Sequence, residues 1–209
     1  MERTALSIPS LSDVSSTFPE VGGYGTFRQD SERPGHGSER AGQDRCEGMF
    51  YRRKFCFGKK RGPGVGKTKR GKGTKIMGIA DTSGLPVALC TGSASPHEIT
   101  YVEPTLKGMF VEERPHMLIG DKAYDSDKLD RQLANNHTIE LIAPHRANRS
   151  KPKTQDGRKL RRYRKRWKVE RLFAWLQNFR RIQTRWEYYQ SNFHGFVQLG
   201  CIMILLRYF

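Results

Sequence analysis

Apolar and polar positions fall into a regular order only from about residue 74 onward. Thr74–Ala80 and Leu85–Cys90 are β-rich runs that flank Asp81-Thr82-Ser83-Gly84, a turn sequence, and together they predict a hairpin. Ser95-Pro96-His97-Glu98 reads as a helix start, with Ser95 as N-cap, Pro96 in the first turn and Glu98 completing a capping box, and the helix is expected to run to about Lys107. Met117–Gly120 is a short apolar strand ending at Asp121. Ser126–Asn135 has amphipathic helical spacing, and Ile139–Ala143 is a further strand. A polar loop, His145–Asp156, then leads into a long helix containing Glu170, and Phe193–Leu206 forms a last, buried helix. The order hairpin, helix, strand, helix, strand, helix, helix defines an α/β domain. No strand is evident before the hairpin.

The remaining chain has a different composition. Met1 to about Phe57 is rich in Ser, Gly, Pro, Arg and Glu without a defensible period, and is expected to be a disordered segment, with the folded domain occupying residues 58–209. Gly58–Lys75 reads as a flexible basic loop. Within it Gly64-Val65-Gly66-Lys67-Thr68 imitates the end of a phosphate-binding P-loop. The first glycine of that motif falls at Arg61, however, and a strand rather than a helix follows, so nucleotide binding is not indicated.

Charge sharpens the picture. The chain is +17 overall, which points to a polyanionic partner, most simply nucleic acid. Residues 1–57 are neutral, 58–75 carry +8 with no acid, 76–143 carry −5 and 144–185 carry +14. An acidic centre between two basic stretches suits carboxylates set in a phosphate-binding surface. Cys46, Cys56, Cys90 and Cys201 form no C-x-x-C pair, which argues against a zinc site or a disulfide framework. No signal sequence is evident at the N-terminus, and the apolar run Phe196–Leu206 is too short to span a bilayer, so a cytoplasmic protein without a membrane partner is expected.

Two acids carry candidate chemistry. Asp121 stands at the carboxyl end of a strand, where open α/β sheets place their ligands, although an Asp there also caps a following helix. Glu170 is one of two acids among sixteen Lys and Arg between residues 144 and 185. Its bland role is an i,i+4 pair with Arg166, worth a few tenths of a kcal/mol. On a continuous α-helix Tyr163, Arg166, Glu170 and Gln177 would share one face.

The two acids together meet a known pattern. Asp121 sits in Ile-Gly-Asp-Lys-x-Tyr-Asp, and Glu170 in Tyr-x2-Arg-x3-Glu-x6-Gln. This resembles bacterial insertion-sequence DDE transposases whose catalytic helix carries Tyr-x2-Arg-x3-Glu-x6-Lys. Gly-Lys-Thr-Lys-Arg-Gly-Lys-Gly-Thr-Lys, Ala-Pro-His-Arg-x-Asn-Arg and Trp-Lys-Val-Glu-Arg-Leu-Phe-Ala-Trp-Leu-Gln-Asn-Phe-Arg-Arg extend the resemblance over about residues 58–209. It implies an RNase H-like fold in which three carboxylates hold two Mg²⁺ ions. These activate water, and later a DNA 3′-hydroxyl, for in-line attack on a phosphodiester at transposon ends. Asp121 would be the second acid and Glu170 the third. Tyr163 and Arg166 would support the site and touch the transposon end, with Gln177 at the lysine position. Lys67, Lys69, Arg70, Lys72, Arg146 and Arg149 would hold DNA phosphates. The resemblance further implies a bacterial, nucleoid-associated protein that forms a homo-oligomer within a transposition complex.

Two positions depart from the pattern. Gln177 brings no charge where the signature has Lys. More seriously, the first catalytic Asp should end a strand just before the basic loop, and that place reads Arg52-Arg53-Lys54-Phe55. Arg52 cannot ligate Mg²⁺. The expectation is therefore a transposase whose cleavage chemistry is impaired and whose first strand is missing, with residues before about Phe57 read in a different frame. The alternative is a non-catalytic, truncated DNA-binding form that competes for transposon ends. An RNA-binding protein is disfavoured, since the sequence shows no exposed aromatic ladder.

Overall fold

A computed structural model describes residues 48–59 and 61–208. The expected disordered segment lies outside these residues up to position 47. The first strand, expected to be missing, is present: Met49–Gly58 is a ten-residue strand, β1, which runs across the boundary expected at 57/58 and corrects it. It pairs antiparallel with β3 (Gly71–Ala80) along the register Phe50↔Ala80 to Phe57↔Gly73. Three consecutive charges, Arg52, Arg53 and Lys54, hide it from a hydrophobic-period reading. The sheet tolerates them because successive side chains leave on opposite faces and meet carboxylates there, Arg52 meeting Glu170 and Arg53 meeting Glu98.

The seven-stranded sheet is built around β1. β3 pairs with β4 (Pro86–Ser93) in the expected hairpin, and the short β2 (Gly66–Thr68) folds onto the start of β3. On the other side of β1, β5 (Met117–Ile119) and β6 (Glu140–Ile142) follow in parallel, and β7 (Thr184–Arg185) pairs with the end of β1. The order β4-β3-β1-β5-β6, with three antiparallel strands followed by two parallel ones, is RNase H-like. The hairpin turn works as its residues require: the Asp81 carboxylate accepts the backbone N–H groups of Ser83 and Leu85, and Gly84 takes a positive φ of 84°.

Helices cover both faces. α1 (Val102–Lys107) and α2 (Asp127–His137) pack Val102, Leu106, Leu129 and Leu133 against Met49, Tyr51, Met77 and Ile79. A short α3 (Gly157–Leu160) and a 3₁₀ stretch, Arg161–Arg166, precede α4 (Trp167–Gln177), and a one-turn α5 (Arg180–Gln183) follows it. On the opposite face α4 and α6 (Gln190–Leu205) bring Leu172, Phe173, Leu176, Phe193 and Val197 onto Phe50, Cys56, Ile76 and Leu89. Ile76 and Met77 thus lie in different cores, as strand alternation demands. Burial pushes the Cys56 and Cys201 thiols up to about 12, which leaves them as inert core groups.

Three local expectations change. Gly58–Lys75 is not simply a flexible loop, because β2 and β3 make its second half a basic hairpin. The helix near Ser95 starts later, as a 3₁₀ turn over Glu98–Tyr101 capped by His97, and continues as α1. Ser95 instead donates its hydroxyl to the Lys67 carbonyl, while Glu98 is drawn into the ion pair with Arg53. The long helix expected around Glu170 is interrupted as well, by the 3₁₀ stretch between α3 and α4.

Candidate nucleic-acid interface and its two carboxylates

β1 pairs with β5 in the register Phe50↔Ile119, so two residues further along Arg52 comes level with Asp121. The chain turns sharply after β5, where Gly120 packs so closely on the Tyr124 ring that a Cβ would lie 2.8 Å from it. α4 lies over β1 and presents Glu170 to the same place. Tyr51, Arg52, Asp121, Tyr163, Arg166 and Glu170 therefore line one cleft of about 90 Å³. Asp121, Tyr163, Arg166 and Glu170, grouped by the sequence pattern, come together here. The 3₁₀ turn changes the helical angles without separating them. Gln177 does not join them and lines a separate crevice with Lys54 and Gln183.

Both bland roles are realised in the cleft. The Asp121 carboxylate accepts the Ala123 N–H at 2.7 Å and so caps the 3₁₀ turn Lys122–Tyr124. Glu170 pairs with Arg166, Nε to Oε1 at 3.3 Å, but its nearer partner is Arg52. Arg166 in turn donates to the Tyr163 hydroxyl, and its guanidinium lies 4.8 Å from that ring. Arg52 and Glu170 are 41 % and 38 % exposed, so water screens their pair and its role is to position groups rather than to stabilise the fold.

This arrangement does not fit a pair of divalent cations. The Arg52 guanidinium occupies the cleft beside the two carboxylates and pairs with Glu170. Among the described residues no cluster of three His, Cys, Asp or Glu side chains is placed to hold a metal. The cleft balances two cations, Arg52 and Arg166, against two anions.

The basic residues divide into two groups. Lys67, Lys69, Arg70 and Lys72 ring the tip of the β2–β3 hairpin, and none is in an ion pair among the described residues. Arg146 and Arg149 bond instead to groups of their own chain. Arg146 donates to the Lys122 and Ala123 carbonyls, and Arg149 bridges Asp125 at 2.8 Å and Asp127 at 2.6 Å, with Lys151 adding to Asp127. They fasten the loop after β6 to the turn that carries Asp121.

Burial works against ionisation of Asp125. The Arg146 N–H, His145 and Arg149 outweigh it and hold its carboxyl below the usual range. Hydrogen bonds from Arg149 and Lys151 do the same for Asp127. In Asp130, one turn further along α2, burial comes first, then the charges of Asp127 and Asp125, and together they raise the carboxyl to about 6. A carboxyl whose folded value exceeds its unfolded one favours folding most at low pH. That contribution disappears as pH rises from about 4 to about 6. Asp130→Asn should accordingly raise the melting temperature over wild type more at pH 8 than at pH 5. Equal differences at the two pH values would contradict this assignment.

Sequence reasoning missed two features. One is Arg52 as the partner of Glu170, for which the only signal was an unexplained basic triplet. The other is a set of exposed aromatics after β7, Trp186, Tyr188 and Tyr189. These correct the expectation that the chain has no exposed aromatic run; Trp-Glu-Tyr-Tyr between two helical segments was the available sign. No helix among the described residues is long and apolar enough to cross a membrane.

The sheet order, with the cleft at the end of β5 and beside the middle of β1, defines an RNase H-like domain of the DDE type. Comparison with known proteins agrees: the family model described as Transposase DDE domain matches residues 31–206, and the chain belongs to that family. The match begins upstream of the boundary expected at residue 57 and includes β1. The chain is 31 % identical over 179 residues to a putative transposase for insertion sequence element IS402 from Burkholderia cepacia, covering 79 % of each. It is also 31 % identical over 134 residues to a putative transposase for insertion sequence element IS6501 from Brucella ovis, covering 64 % of this chain and 98 % of that one. Among solved structures it resembles the piggyBac transposase synaptic complex with hairpin DNA, with a TM-score of 0.53 and 12 % identity. That likeness covers 75 % of this chain and 45 % of the other, and concerns the fold alone.

Proposed function

We propose that this chain binds DNA, the ends of an insertion element in particular, as a transposase-family protein that does not itself cut the strand. The observation that carries this reading is Arg52: it lies in the central strand, level with Asp121 and paired with Glu170, where the family resemblance calls for the first metal-binding carboxylate. With that site closed by a cation, Mg²⁺ is not required for binding. The phosphate contacts fall to the hairpin tip, Lys67, Lys69, Arg70 and Lys72, and to Arg52 and Arg166 at the cleft. Such a protein would occupy ends, in the bacterial cytoplasm and alone or within an oligomer, in competition with a cleaving relative.

A second reading, DNA cleavage and strand transfer by two-metal phosphodiester chemistry, is favoured by Asp121 and Glu170 lining one cleft. The experiment that separates the two measures binding to end-sequence DNA by anisotropy across a salt series, with EDTA or with Mg²⁺, beside nicking of supercoiled plasmid. The first reading expects steeply salt-dependent binding that EDTA leaves unchanged, and no nicking. Mg²⁺-dependent nicking would overturn it in favour of the second.

Glu170→Gln supplies a further check. Removing the carboxylate frees Arg52 and Arg166 toward phosphate, so affinity should stay level or rise by up to a few fold. A large loss of affinity would mean that Glu170 is a structural anchor.

A further inference from the structure

A cleft of about 550 Å³ shares no residue with the Asp121–Glu170 site. It lies between the segment after β7 and the first turns of α6, and Trp186, Tyr188 and Phe196 supply its rings. Trp186 is 48 % and Tyr188 52 % exposed. Large aromatics left open on a concave surface mark a binding site rather than a core.

These rings are held in place. Arg185, 1 % exposed, donates to the Glu187 and Tyr188 carbonyls at 3.0 and 2.8 Å and so fixes the backbone on which the rings stand. The Glu187 carboxylate accepts the Trp186 N–H and the Arg181 guanidinium, both at 3.1 Å. The one acid lining the cleft is therefore consumed internally. Cations border the rings: Lys59 Nζ is 5.9 Å from Trp186, and the Arg181 guanidinium is 5.5 Å from Phe196.

We propose that this cleft is a stacking site for an unpaired base of single-stranded DNA, an inference that rests on the DNA-binding reading above. A nucleobase offers a flat apolar face to Trp186 and Tyr188, and its phosphates would meet Lys59 and Arg181. A duplex keeps its base faces stacked inside, so only a frayed or single-stranded end can enter. Charge argues against a second copy of the chain as occupant. The segment leading into the cleft, residues 144–185, carries +14, and a second copy would bring the same sign.

The test uses the full chain and three labelled DNAs of one sequence: a blunt duplex, the same duplex with an unpaired 3′ tail, and the tailed strand alone. Wild type should bind the tailed duplex at least about fivefold more tightly than the blunt one. Trp186→Ala should weaken the tailed and single-stranded forms by about 5- to 100-fold and leave the blunt duplex unchanged. Trp186→Phe should keep most of the preference. If Trp186→Ala weakens all three equally, or none, or acts only on self-association in sedimentation, the stacking site is refuted. Blunt-duplex binding without a tail preference would sink this inference alone. A wild-type chain that binds none of the three would sink the DNA-binding reading with it.

Discussion

Arg52→Asp should give the cleft an affinity for divalent cations, with no corresponding response expected of the wild-type chain. In the wild-type cleft the Arg52 guanidinium meets Glu170 while Asp121 lines the same cleft, and the charges balance. Replacing Arg52 removes that cation and sets a third carboxylate beside the other two. Without metal, three carboxylates in one cleft repel, so the variant should melt below wild type in EDTA. Mn²⁺ or Mg²⁺ should then restore it. At a concentration one hundred times the dissociation constant, binding to the folded state adds about 2.7 kcal/mol, which for a domain of this size is about 5–11 °C. Wild type should not shift. The double variant Arg52→Asp/Asp121→Asn should lose most of the response, which distinguishes a shared site from metal scattered over surface acids. A melting curve of Arg52→Asp that ignores both cations would show that the carboxylates do not converge closely enough to share an ion.

The second large effect concerns stability and should follow from Arg185→Met. Arg185 is fully buried at the end of β7, and its guanidinium is held by neutral oxygens. It donates to the Thr74 hydroxyl at 2.7 Å and to the carbonyls of Pro63, Glu187 and Tyr188 at 2.6–3.0 Å. The Phe193 ring lies 5.7 Å away. Burial lowers its affinity for a proton, yet as an arginine it remains charged. A methionine fills much of the same volume and donates nothing, leaving several acceptors without partners. Each such group costs about 1–3 kcal/mol. The sum is not additive, so a loss of about 3–4 kcal/mol is expected, or roughly 10 °C in melting temperature. Lysine at this position keeps the charge but not the fork, and should recover less than half of the loss. A change under about 1 kcal/mol for Arg185→Met would mean that the carbonyls find other donors. Hydrogen exchange should show the damage first at the segment after Pro63 and at Tyr188.

Arg185 and Arg52 illustrate why part of this protein is legible in one dimension and part is not. Local sequence was enough for the hairpin around Asp81–Gly84, the existence of the α2 helix, the placement of Asp121 after a strand, and the family to which the chain belongs. Those features rest on periodicity, turn chemistry and short-range spacing, which a chain carries wherever it folds. That Arg-Arg-Lys is the middle of the central strand emerged only once the chain was folded. The charges are tolerable there because Glu170 and Glu98 arrive from opposite faces, 118 and 45 positions away. The same holds for the pairing of Arg149 with Asp125 and Asp127, and for the open rings of Trp186 and Tyr188 on a backbone pinned by a buried arginine. Charge alone does not say whether a guanidinium faces DNA or a carboxylate of its own chain. That depends on which long-range partner the sheet brings within hydrogen-bonding distance.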